Sequence, residues 1–259
     1  MRTNERLTGY AGVRMTTEVY PRAPIVEAAY DVRVRSGVDV TAESLSGIRD
    51  ARYPELFRSP ARVNFRVEGF PDDTSAEASN VPLGFMYRSS DQTEVFQVRT
   101  DGFTYNRLAP YRDWAAFSGE AKRLWSIYRE GAKPAVIELI SLTYINELFL
   151  PMGESFETHF RTYIEVPKEL PQEIGSFAMN YQLTIPDGGG FIGVAQAYGP
   201  IKKEGHVTVN LNISASKPLN LEATAISDSD LVSMFEVLRE AKDDAFEASI
   251  TDAVREMIR

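Results

Sequence analysis

Two short polar runs are the residues of this chain best placed to bind something. Asn106 and Arg107 end one alternating stretch, with Pro110 and Tyr111 just beyond it, and Tyr144 and Asn146 end another. Amide, guanidinium and phenol groups together can grip a polar partner, and strand ends with the loops after them often carry binding groups. Asparagine and arginine in such places also serve simply to fix loops. Asn106, Arg107, Tyr111, Tyr144 and Asn146 are therefore the candidate binding residues, with a structural role as the competing reading.

Catalytic patterns are missing from the rest of the sequence. The two histidines, His159 and His206, have no second histidine or carboxylate at HExxH or HxH spacing, so no metal site is expected. No GxSxG elbow presents a serine nucleophile. Asp187-Gly188-Gly189-Gly190 is glycine-rich, but it joins two strand-like stretches and lacks the lysine and helix N-terminus that would hold a phosphate. Asp243 and Asp244 are helix neighbours that point about 100° apart, and with Asp228, Asp230 and Glu247 they read as a solvated face. No cysteine is present, which removes disulfides, thiolate metal sites and cysteine nucleophiles. No cofactor is expected.

Composition sets the wider limits. Of 259 residues, 43% are hydrophobic and 25% charged, which is enough for a large core without staples. The net charge is −9, but residues 1–130 hold 18 basic and 18 acidic side chains, and residues 131–259 hold 10 and 19. An acidic chain is repelled by phosphate backbones, so nucleic acid is disfavoured as a partner. The first half nonetheless uses arginine for 17 of its 18 cations, among them Arg49, Arg52, Arg58, Arg62 and Arg66. A face of internal ion pairs and an anion-binding surface are the two readings of that bias. The first twenty residues are charged throughout, and no apolar run approaches eighteen residues. A cytoplasmic protein that does not span a membrane is expected, with residues 1–24 as an arm.

Periodicity gives the elements that must position these residues. Alternation predicts strands at 25–34, 62–68, 83–88, 94–99, 103–107, 136–149, 176–185, 191–198 and 206–214. Asp101-Gly102 suits a tight hairpin, and residues 71–80 read as a loop. Thr41 heads a short helix to about Ile48, and Glu154 or Ser155 opens another through Phe160. Trp114, Phe117, Ala121, Leu124, Trp125 and Tyr128 form the apolar stripe of a long helix that starts after Pro110 and stops at Gly131. A second long helix, capped by Asp228, carries Leu231, Met234, Phe235, Leu238, Ala241 and Ala245. It breaks near 247–250, and Thr251 opens a terminal turn.

Laid side by side, residues 25–131 and 135–259 give nearly the same order: strand, short helix, antiparallel strands, long helix. The expectation is one α+β unit of two similar β-α-meander-α halves, each long helix covering its meander. The order of elements is similar to the duplicated saddle-shaped folds of the TATA-binding-protein type, a likeness of topology that carries no implication about DNA.

Four runs also carry a family resemblance: DGFTYNRLAPYRDWAAFSGEAKRLWSIY (101–128), PIVEAAYDVRV (24–34), LTYINELFLP (142–151) and AFEASITDAVREMI (245–258). Together they resemble the signature of a sporadically distributed, uncharacterised prokaryotic family whose members have about this length. Where this chain has Glu147, the family pattern usually carries a basic residue. The family's patchy distribution resembles that of mobile defence islands and toxin–antitoxin loci.

The leading expectation is a non-enzymatic binding or regulatory protein, as a component of such a system, whose partner is another protein or a second copy of itself. Two alternatives stand beside it: an enzyme of unfamiliar type with a pocket at the seam between the halves, and a nucleic-acid-binding protein using the arginine-rich first half.

Overall fold

The computed structural model describes residues 20–36, 40–59, 83–186 and 189–259. Nine strands pair into one antiparallel sheet: β1 (Ile25–Arg35), β2 (Glu55–Ser59), β3 (Gly84–Arg88), β4 (Glu94–Arg99), β5 (Gly102–Leu108), β6 (Val136–Pro151), β7 (Ala178–Ile185), β8 (Gly190–Tyr198) and β9 (His206–Glu222). Their spatial order is β2-β3-β4-β5-β1-β6-β9-β8-β7, so β1 and β6 lie at the centre. The helices among the described residues are α1 (Trp114–Ala132), α2 (Phe156–His159), α3 (Asp228–Ser249) and α4 (Asp252–Ile258). The class is α+β, as the alternation and helical stripes predict. The predicted strand at 62–68, the loop at 71–80 and Asp187-Gly188 lie outside the described residues, as does most of the predicted arm.

Alternation decides which side chains meet the helices. Ala28, Tyr30, Val32 and Val34 of β1 are buried on one face, level with Tyr105 and Phe103 on β5 and with Leu142 and Tyr144 on β6. Both long helices cover that face. Tyr30 meets Phe117 of α1 edge-on at 6.5 Å and stacks on Phe235 of α3 at 3.5 Å. One core cluster centres on Tyr30, Phe96, Phe103, Tyr105, Trp125 and Phe235. A second joins Leu148, Val209, Leu211 and Ile213 to Ile250, Val254 and Ile258 of the C-terminal segment. Burying aromatic side chains on this scale is the main force for docking α1, at about 1.5–3 kcal/mol per large side chain.

Element ends differ from the periodicity reading in informative ways. The turn at Glu43–Gly47 is 3-10 rather than α, and Thr41 and Ser44 exchange hydrogen bonds across its start. Asp113 is the N-cap of α1, its carboxylate accepting from Ala116 N at 2.7 Å. Gly131 does not end α1: the helix runs one residue further and stops at Lys133, which is left-handed. Gly131 lies where a Cβ would come within 2.5 Å of Ile48, so it is needed for close packing. Ser227, one residue before the expected Asp228, caps α3 and forms a capping box with Asp230. The break after Ser249 is real: Ile250 is extended and bridges to Phe160 before α4 begins. Strand β9 continues past Ser214 to Glu222, because β6 offers a partner for its whole length.

Candidate functional site

The pleat divides the five candidate residues between two faces. Asn106 points away from the helices, whereas Arg107, its neighbour, points towards them, because successive strand residues alternate. Asn106 is 2% exposed and sits in a polar ladder across three strands. Its Nδ2 donates to Glu27 Oε1 at 2.6 Å, and its Oδ1 accepts from Gln97 Nε2 at 3.0 Å. Arg99, fully buried, donates through Nη1 to Gln97 Oε1 and Thr104 Oγ1, and its Nε bonds Asp101 at 2.9 Å. Thr104 in turn donates to Asp31 Oδ1 at 2.6 Å. Burial pushes the Glu27 carboxyl up to about 7, partly offset by the Asn106 hydrogen bond. A carboxyl so placed exchanges its proton near neutrality. Sequence reading missed Glu27, Gln97 and Arg99, because polar residues on the second face of an alternating strand look solvated.

Arg107 belongs to an ion-pair cluster at the start of α1. Its Nη1 lies 2.5 Å from Glu94 Oε1, and its Nε and Nη2 reach the Pro110 carbonyl at 3.3 Å. The Tyr53 hydroxyl lies between Glu94 Oε2 at 2.6 Å and Glu120 Oε1 at 2.8 Å. Arg52 and Arg123 pair with Glu120, and Arg123 also with Asp50. Burial raises Glu120 above the ordinary carboxylate value and raises the Tyr53 and Tyr105 phenols well above theirs. Glu94, Tyr105, Arg107, Tyr111, Arg112, Asp113, Ala116 and Phe117 enclose a recess of about 100 Å³. It is smaller than an ordinary ligand pocket.

Tyr111 and Tyr144 do come together, at the seam where α1 and α3 meet the central strands. Their hydroxyls are 2.8 Å apart and their rings cross at 70°. Burial pushes Tyr111 up to about 12 and raises Tyr144 well above the ordinary phenol value. The ammonium of Lys242, 7% exposed, lies 3.8 Å from the Tyr144 ring centroid and pairs with Asp243. Desolvation lowers the Lys242 pKa, with Asp243 opposing the shift. Trp114 Nε1 donates to Glu236 Oε1 at 2.6 Å across the same seam, and Arg239 stacks 5.5 Å over the Trp114 ring. Asn146 stands apart: it is buried and donates to the Leu211 carbonyl at 3.0 Å. Four of the five residues thus fall into three networks, Asn146 belongs to none of them, and the five do not line one cleft.

Among the described residues, no three or more histidine, cysteine or acidic side chains are grouped to hold a metal ion. His159 is buried with Nε2 2.9 Å from Glu154, and Glu147 pairs with Lys202 at 2.6 Å. Arg52 serves the ion-pair cluster, and Arg49 bonds the Ser46 carbonyl. No helix among the described residues is long and apolar enough to cross a membrane.

The sheet's two edges differ in kind. Edge strand β2 has five residues, with Glu55 and Arg58 among them, and charges on a short strand are the usual protection of an edge. Edge strand β7 has eight, AMNYQLTI, without charge or proline, in unbroken register with β8. Asn180, Gln182 and Thr184 are exposed on its helix-free side, and Leu183 is 52% exposed. Among the described residues, no backbone group bonds to its outer side. Of the ten exposed large hydrophobics among the described residues, six lie between Met152 and Ile201, the stretch that carries β7.

Neither the family models nor the curated proteins compared with this chain match it.

Proposed function

We propose that this chain is a non-enzymatic binding protein of regulatory type, which takes an extended segment of a protein partner as an added strand at β7. One observation carries this reading: an eight-residue, regular, uncharged strand left as an open edge. Proteins that do not use an edge normally shorten, charge or bend it, as β2 does here. Strand addition draws affinity from backbone hydrogen bonds and specificity from alternate side chains. The connection before β7 carries Glu165, Glu169 and Glu173 against Arg161 and Lys168, and Arg161 is turned to the Ile250 carbonyl. That charge favours a partner segment with basic flanks over a second copy of this acidic chain.

The test uses fluorescence polarisation with a labelled peptide of alternating valine and threonine flanked by lysines, beside the same peptide with a central proline. The first should bind and the second should not. Asn180→Lys with Gln182→Lys, both at exposed positions, should weaken binding about tenfold or more. Equal binding of both peptides, or of both proteins, would refute the reading. A dimer of the unmodified chain that the double variant abolishes would assign the edge to self-pairing and overturn the choice of partner.

We further infer that the chain is built of two similar halves in a saddle-like arrangement. The strand orders β3-β4-β5-β1 and β7-β8-β9-β6 support this, since each half ends on its first strand and the two first strands pair at the centre. Membership of the sporadically distributed prokaryotic family rests on the resemblance of the four sequence runs, that at 101–128 above all. A place in a defence or toxin–antitoxin system rests on that resemblance alone.

A further inference from the structure

Helices α1 and α3 are clasped at two points and stand apart between them. At one end Trp114 bonds Glu236. At the other Arg129 bonds Asp228 at 2.8 Å and the carbonyls of Ala223 and Ile226 at 2.6 and 3.0 Å. The α1 residues facing the gap are Ala115, Ser118, Gly119 and Lys122, spaced three and four apart on one side of the helix. Three of them are too small to fill it. The result is a groove of about 290 Å³, with Tyr30 and Phe235 among its lining and Trp114 at one end.

Tyr30 reaches the groove from the central strand beneath the two helices. Its side chain is 2% exposed, yet among the described residues its hydroxyl has no hydrogen-bond partner, although it lines the groove. Unlike the sealed, unpartnered hydroxyl of Tyr87, that of Tyr30 opens into the groove, where a ligand's polar group can reach it. At the mouth, Lys122 is exposed and makes no ion pair among the described residues. Asp228 and Glu236 lie close enough to raise the Tyr30 phenol further above its ordinary value, beyond what burial does. Its hydroxyl therefore stays neutral, and a ligand's anionic group is repelled from the floor and drawn to the mouth.

We propose that this groove binds a small planar aromatic carboxylic acid, with its ring between α1 and α3, a polar ring substituent on the Tyr30 hydroxyl and its carboxylate towards Lys122. The volume suits a single substituted ring, at the small end of ligand pockets. The site is independent of strand addition at β7.

Isothermal titration calorimetry of the full chain with 4-hydroxybenzoate, benzoate, phenol and 4-hydroxybenzylamine tests it. 4-Hydroxybenzoate should bind tightest, and the amine should be rejected. Tyr30→Phe should weaken 4-hydroxybenzoate about tenfold while leaving benzoate nearly unchanged. Lys122→Ala should cost about threefold for both acids. Gly119→Leu is the blocking variant: a Cβ at Gly119 meets nothing within 4 Å, and leucine is a better helix former than glycine. It should retain or gain thermal stability while losing binding. Undetectable binding of both acids to the unmodified chain would overturn the proposal. So would binding that Gly119→Leu leaves intact, or an amine that binds as well as the acid.

Discussion

Replacing Glu27 by glutamine should make the protein more stable above neutral pH and leave it nearly unchanged in acid. The side chain is 5% exposed, and its carboxyl rises from 4.5 to about 7 because burial disfavours the charged form. A group whose folded pKa lies above its unfolded one binds its proton more tightly in the folded state. Its ionisation therefore costs stability, beginning as pH rises past 4.5 and complete once pH exceeds about 7. The full separation corresponds to about 3 kcal/mol. Glutamine keeps an oxygen to accept from Asn106 Nδ2, now 2.6 Å from Glu27, and cannot ionise. The assay is urea unfolding of both proteins at half-unit steps from pH 4.5 to 8.5. Taking the difference between them removes contributions from other carboxylates, such as Asp31 in the same ladder. The variant should gain on the parent by about 2–3 kcal/mol across this range, with most of the gain between pH 5.5 and 7.5. A difference that does not change with pH would refute the reasoning, because it would place the Glu27 proton outside the folding equilibrium.

Two further outcomes follow from local geometry. Tyr144→Phe should cost about 1–2 kcal/mol by leaving the Tyr111 hydroxyl unpaired. The double variant with Tyr111→Phe should unfold at nearly the same urea concentration as the single one, and additive losses would show that the pair is not coupled. Gly190→Ala should destabilise by about 3 kcal/mol or more, because φ is +113° and a Cβ would lie 2.0 Å from the Ser216 carbonyl oxygen. A melting temperature within a degree of the parent's would refute it.

Much of this architecture could be read from spacing, and what could not has physical causes. The stripe from Trp114 to Tyr128 announced α1 because a helix packed on a sheet must repeat its apolar side every three to four residues. The same logic placed every strand of the sheet except β2, whose five residues, ELFRS, are too few to show a clear alternation. Alternation also implied that Asn106 and Arg107 point to opposite faces, yet adjacency in the chain made them look like one site. The Glu27–Asn106–Gln97–Arg99 ladder was invisible because period-two patterns show which residues share a face, not whether that face is dry. Ser227 and Asp228 are equally good caps on paper. The capping box with Asp230 decides for Ser227. The β7 edge and the α1–α3 groove depend on which strand ends the sheet and on how far apart two helices sit. Neither is written in any local run of residues.

The central pairing of β1 with β6 also sets a timetable for synthesis. Tyr30 faces Leu142 across that pair, so β1 waits for a neighbour that leaves the ribosome about 110 residues later. At ordinary elongation rates that is roughly 5–20 s. Strand β5 covers the other side of β1 first, which leaves a growing five-stranded intermediate with β1 as a temporary open margin. Its inner face, Ala28, Tyr30, Val32 and Val34, is among the most apolar stretches of the sheet. The nascent chain is therefore most vulnerable to wrong pairing before Val136–Pro151 emerges, and chaperones that hold extended apolar strands would act in that interval.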